Sequence, residues 1–145
     1  MAIREEKMEI SNEIGQIFRL VYGEGDACDL GCAIEDIPKM ISLSKKMVPI
    51  KPYRVVRHWC GGDLEVDVSE LEGIKQAGMK PAFIYAGELM EDERGEWRKG
   101  VAVKTTLLVE FHLDCLFITR NTAYILVGTG RRMTVNWDVF LNLTF

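Results

Sequence analysis

Apolar positions in the first 52 residues recur at helical spacing. Ile3, Ile10, Ile14, Ile17 and Val21 fall on one stripe at intervals of three, four and seven, which predicts a helix from Ile3 to Tyr22. Glu5, Glu6, Glu9 and Glu13 lie mostly off that stripe, in the half where carboxylates complement the helix dipole. Gly23 and Gly25 stop the helix, and a loop runs from Glu24 to Gly31. A second helix is expected from Glu35 to Lys46. Pro38 is tolerated only in a first turn, so the start falls near Asp36. Ile37, Met40, Ile41 and Ser44 form its inner face, Lys45 and Lys46 suit its C-terminal end, and Pro49 and Pro52 close the helical region.

From Tyr53 onward the period shortens to two. Tyr53 to Trp59 and Leu64 to Val68 read as a hairpin about Gly61-Gly62. That register puts Tyr53, Val55, Arg57, Trp59, Leu64, Val66 and Val68 on a core face. It puts Arg54, Val56, His58, Cys60, Asp63, Glu65 and Asp67 on a wet face. Ser69-Glu70-Leu71-Glu72 reads as a capping box opening a short helix from Glu70 to Ala77, ended by Gly78. Pro81 starts a strand through Phe83, Ile84 and Tyr85, and a charged loop spans Glu91 to Lys99. Val101 to His112 holds one long or two short strands. Leu116 to Thr119 and Tyr124 to Val127 form a hairpin about Asn121-Thr122, and Gly128 to Arg132 is a turn. Met133 to Phe145 fits either a strand or a short helix. The pattern predicts one α+β domain, with N-terminal helices packed on a mostly antiparallel β-sheet. Residues 1–52 are helical, and residues 53–145 are β-rich with one short helix.

Bulk properties narrow the function classes. The chain has 145 residues, 48% apolar and 28% charged, an ordinary globular composition that supports a core without staples. The net charge of −4 counts against direct nucleic-acid binding, which normally uses a basic face. The N-terminal stretch is charged and lacks the apolar segment of a signal peptide, and no apolar run approaches the roughly 18 residues of a membrane span. The expected setting is the cytoplasm, with no membrane attachment and with four cysteines as reduced thiols.

Several residue groups carry candidate chemistry. Asp63, Glu65 and Asp67 alternate along a strand and could converge on Mg²⁺, although Arg54 competes for them. Cys28, Cys32, His58, Cys60, His112 and Cys115 include zinc-ligand types but no tight C-x-x-C knuckle. Cys60, His58 and Asp63 match nucleophile, base and orienter by type, yet the strand rise holds thiol and imidazole about 7 Å apart. Gly128, Gly130, Arg131 and Arg132 could cradle an anion through backbone N–H groups and guanidiniums, without the lysine of a P-loop. Arg57, placed among apolar neighbours, needs a carboxylate or carbonyl partner and should matter more to stability than Arg54. The loop Glu91, Asp92, Glu93, Arg94, Gly95, Glu96, Trp97, Arg98, Lys99 is too polar for a core. Its Trp97 and Arg98 are the residue types most enriched at interface hot spots, and Glu91, Asp92 and Glu93 would steer it toward a basic surface. The hairpin from Leu116 to Val127 is apolar on both faces and must be covered twice, by the chain itself, a second copy or a partner.

Tyr53-Arg54-Val55-Val56-Arg57-His58-Trp59, Lys80-Pro81-Ala82-Phe83-Ile84-Tyr85, Glu110-Phe111, Thr119-Arg120-Asn121-Thr122 and Gly130-Arg131-Arg132 together resemble a family of uncharacterised small proteins of bacterial chromosomes and their phages. The likeness covers about the last two-thirds of the chain and carries no catalytic residues with it. It implies a stand-alone protein carried by a mobile element. Proteins of that kind often bind another protein, including inhibitors of bacterial defence such as anti-CRISPRs. The leading expectation is therefore a non-enzymatic protein-binding module directed at a host defence complex, with a homodimer as a further candidate assembly and no cofactor. The alternative is a small-molecule or nucleotide-binding protein or enzyme using the Gly128–Arg132 turn. The third is a metal-dependent nuclease or toxin using Asp63, Glu65 and Asp67.

Overall fold

The computed structural model describes residues 14–23 and 25–143. Residues 14–21 are helical (α1), while the N-terminal part of the expected first helix, with Ile3 and Ile10, lies outside the described residues. Next come β1 (Asp26–Cys28), a single 3-10 turn (Ile34–Asp36) and α2 (Ile37–Met47). The remainder runs β2 (Tyr53–Glu65), α3 (Val68–Gln76), β3 (Ala82–Asp92), β4 (Val103–Lys104), β5 (Leu108–His112), β6 (Leu116–Thr119), β7 (Ala123–Val127), β8 (Gly130–Asn136) and α4 (Trp137–Asn142). The class is α+β, with helices on an eight-stranded, mostly antiparallel sheet.

The organising element is β2. It is one continuous strand of 13 residues, not the expected hairpin, and Gly61-Gly62 lies inside it. Along one edge it pairs antiparallel with β3 over most of its length. Along the other edge its first half pairs parallel with β7 and its second half parallel with β8. A Gly-Gly pair acts as a turn only where nothing extends the ladder. Here β3 and β8 hydrogen-bond both edges of the backbone at these positions. The strand still bends: His58 has φ +56, and the register with β3 shifts between Val55 and Val56.

Because β2 is central, half of the expected wet face is buried. Arg54, Val56 and Cys60 are enclosed, while His58 and Glu65 are exposed and Asp63 is half-exposed. One face of the sheet is covered by helices. Ile37, Met40 and Ile41 of α2 pack on Val55, Leu116, Ile125 and Val127. Leu20 of α1, Ile74 of α3 and Val139 and Phe140 of α4 pack with Cys60, Leu64, Phe83 and Val135. The other face is concave. Strands run β3-β2-β7-β6-β5, and β5 then returns to the start of β3 through the Lys80–Leu108 bridge, where Lys80 N donates to Leu108 O at 2.8 Å. Val56, Trp59, Leu89, Phe117, Tyr124 and Leu126 fill this curl. The β6–β7 hairpin is thus greasy on both sides and covered twice within the chain, by α2 and by the curl.

Several local expectations change. The α3 cap is Asp67, which accepts from Glu70 N at 2.7 Å, so the capping box begins two residues before Ser69. The Glu24–Gly31 loop contains β1, which pairs with β8. Residues 130–132 belong to β8 and are not a turn. The C-terminal segment is both alternatives in succession, β8 and then α4. Ile14 is exposed, while Ile17, Leu20 and Val21 turn to the core.

Candidate functional site

At one end of the concave face the chain leaves β3, makes a polar loop over residues 93–100, and returns. Backbone bonds pin both ends: Gly100 N donates to Leu89 O at 2.7 Å and Leu89 N to Val101 O at 2.8 Å. Gly95 and Gly100 take φ of +63 and +91, so glycine permits the two sharp reversals. Glu91 and Asp92 are residues of β3 rather than of the loop.

The loop is built around Arg54. Its guanidinium carbon stands 3.7 Å from the centroid of the Trp97 ring, a cation–π stack of about 0.5–2 kcal/mol. Its Nη1 donates to the Tyr124 hydroxyl at 3.3 Å, and its Nε lies 3.5 Å from Asp92 Oδ1. The Asp92 side chain, 2% exposed, also accepts the backbone N–H groups of Trp97 at 3.0 Å and Arg94 at 3.3 Å. One buried ion pair therefore holds both the backbone and the ring of Trp97. The ring still keeps an open surface, since the residue is 41% exposed. It borders a groove of about 480 Å³ lined by Glu96, Arg98, Val101, Ala102, Val103 and Lys104. Burial lowers the pKa of Lys104, whose ammonium donates to the carbonyls of Phe140 in α4 and of Leu143 just beyond it.

Two of the three carboxylates expected to steer this loop are taken up locally. Asp92 is buried on Arg54 and Glu93 pairs with Lys45, while Glu91 stands half-buried in β3 opposite Val55. Glu96 lies 3.8 Å from Arg94. Arg98 and Lys99 are the exposed charges directly following Trp97, so the loop tip shows positive charge.

The remaining candidates are dispersed. Arg132 Nε and Nη2 grip Asp63 at 2.7 and 2.9 Å, and Arg131 donates to the carbonyls of Arg19 and Leu20 at the end of α1. Gly128 O accepts the Trp59 indole at 2.9 Å, and the Gly130 Cα sits against the Trp59 ring, where a Cβ would come within 2.3 Å. The Gly128–Arg132 segment is thereby spent on packing, capping and an ion pair. Asp63 is held by Arg132, Glu65 ends β2 in solvent, and Asp67 caps α3. Among the described residues no three His, Cys, Asp or Glu side chains form a metal-holding group. Cys60 is fully buried, and burial pushes its thiol up to about 11, while His58 is exposed. Cys115 rises to about 12 for the same reason. All four cysteines are free thiols. Arg57 is paired, Nη2 to Glu88 at 3.0 Å, but its side chain is 40% exposed against 11% for Arg54. The buried arginine is Arg54, the reverse of the register expected from a hairpin.

The fold and this arrangement define an α+β protein with a loop that is pinned through Arg54 and Asp92 and carries a half-exposed tryptophan. Residues 29–142 match the family model of a domain of unknown function, DUF6957, and the chain belongs to that family. Neither the curated proteins nor the solved structures contain a match. Among the described residues no helix is long and apolar enough to cross a membrane.

Proposed function

We propose that the protein is a protein-binding module whose anchor is Trp97, and that its partner is an acidic protein surface. The observation that carries this reading is the half-exposed Trp97 ring clamped by Arg54 and Asp92. A tryptophan that must be ordered on binding costs entropy. One already held in place, beside a groove and next to Arg98, loses little and can supply hot-spot energy. Arg98 and Lys99 favour an acidic partner, because Asp92 and Glu93 at the loop base are engaged within the chain. The resemblance to proteins of phages and bacterial chromosomes makes a host defence complex, bound in the manner of an anti-CRISPR inhibitor, the first partner class to test.

The test is capture from bacterial lysate with wild-type and Trp97→Ala baits, followed by titration of any protein retained by the wild type alone. Trp97→Ala should weaken that complex by about 2 kcal/mol or more, while the loss of its stack on Arg54 lowers stability by no more than about 2 kcal/mol and leaves the protein folded. Charge reversal at Arg98 and Lys99 should slow association and flatten its salt dependence. Equal affinity for both baits removes the loop as the interface.

A second reading rests on α1. Ile14, Phe18 and Tyr22 are exposed at intervals of four, with the Phe18 and Tyr22 rings 4.5 Å apart, while Ile17, Leu20 and Val21 pack inward. A helix apolar on both sides suits a contact between two copies of the chain. Phe18→Glu should then convert a dimer to a monomer by light scattering. A monomeric wild type at high micromolar concentration excludes this reading.

A further inference from the structure

The end of the concave face opposite Trp97 is open. There the curled sheet leaves an apolar cavity of about 240 Å³, walled by Leu30, Trp59, Ile84, Phe111, Phe117 and Leu126, with the Asp63–Arg132 pair at its rim. We propose that this mouth binds a small neutral aromatic molecule of one or two fused rings carrying a hydrogen-bonding head.

The floor of the cavity is Gly61, in the middle of β2. Glycine inside a strand costs roughly 0.5–1 kcal/mol relative to alanine, so it needs a reason. Two neighbours have steric ones: a Cβ on Gly62 would come within 2.2 Å of the Phe83 ring, and one on Gly130 within 2.3 Å of Trp59. Gly61 has none. A Cβ there would meet nothing closer than 3.9 Å, and its φ lies outside the left-handed region. What its missing side chain provides is open space against the backbone, the condition under which a flat ligand can lie on a strand. Size sets the ligand class. An apolar cavity of about 150 Å³ accepts benzene, so 240 Å³ accommodates a bicyclic ring and is smaller than the usual site for a drug-sized molecule. The rim sets the head group. Arg132 and Asp63 neutralise each other through two short bonds, so a charged head finds no net countercharge at the rim to offset its lost hydration. A neutral N–H or O–H can instead donate to a carboxylate lone pair that remains at Asp63.

The probe is indole, titrated into ¹⁵N-labelled full chain and followed by amide chemical shifts. The expected result is saturable shifts at Leu30, Gly61, Gly62 and Phe111, unchanged in Trp97→Ala. Gly61→Val should weaken binding at least tenfold by filling the floor. Leu30→Trp, which fills the cavity from the rim without changing a residue of the sheet, should do the same if Gly61→Val fails to fold. Benzoate and benzylamine should bind at least tenfold more weakly than indole. Absence of indole shifts at the mouth up to its solubility limit overturns the proposal. So do shifts confined to the Trp97 groove, shifts that survive both filled variants, and binding of either charged probe as tight as that of indole.

Discussion

The two faces of the sheet bury much the same kinds of side chain by different means. The face under the helices is closed by elements that can shift as rigid bodies until their side chains interdigitate, and Val55, Leu116, Ile125 and Val139 are fully enclosed there. The concave face is closed by the curl of the sheet itself, whose strand spacing is set by hydrogen bonds and cannot contract. Its filling depends on side-chain size alone. Trp59, Phe117 and Tyr124 fill the middle, Arg54 and Trp97 close one end, and at Gly61 a space remains. Helical cover adjusts to the residues beneath it, whereas a curled sheet retains whatever gap its smallest residue leaves.

The severest way to break this comparison is to remove the central side chain of the curl. Trp59→Ala deletes a buried ring and its bond to Gly128 O, and should cost about 3–5 kcal/mol in urea denaturation. A loss under about 2 kcal/mol would show that the curl is not a packed core. Next is Arg54→Ala, which strands the Asp92 carboxylate at 2% exposure and frees Trp97, and should cost about 3 kcal/mol. Arg57→Ala, at a half-exposed pair, should cost no more than about 1 kcal/mol. The reverse order would restore the hairpin register and refute the one described here.

Adjacent glycines compare the two faces within one strand. Gly62→Ala drives a methyl into the Phe83 ring of the helix-covered core and should destabilise by about 1–3 kcal/mol. Asp67→Ala, which uncaps α3, should cost about 1 kcal/mol by the same assay. The smallest effect is Gly61→Ala, which points into the cavity and should be neutral or stabilising by up to about 1 kcal/mol. If both glycine variants destabilise equally, the space at Gly61 is not there.

Local chemistry was legible where its consequences stay local. The 3.6-residue spacing of Ile37, Met40, Ile41 and Ser44, with Pro38 in the first turn, places α2 and its buried face almost residue for residue. The alternation through Leu116–Val127 gives the β6–β7 hairpin and its double burial. Asp67 was missed as a cap because Ser69-x-x-Glu72 offers the same pattern two residues on, and only the backbone entering α3 chooses between them. The site residues fared unevenly for the same reason. Trp97 stood out by composition, but its clamp did not, because Arg54 and Asp92 are 38 residues apart and meet only through the β2–β3 pairing.

The sequence by itself determined the α+β class, the amphipathic helix α2, the two-faced hairpin and the oddity of an aromatic in a charged loop, since each follows from periodicity or composition within a short window. Tertiary structure alone decided that Gly61-Gly62 would run straight, that Arg54 rather than Arg57 would be buried, and that a cavity would open beside Asp63 and Arg132. Those outcomes depend on which distant strands occupy both edges of β2, and a strand's own residues do not specify the neighbours that complete its hydrogen bonds.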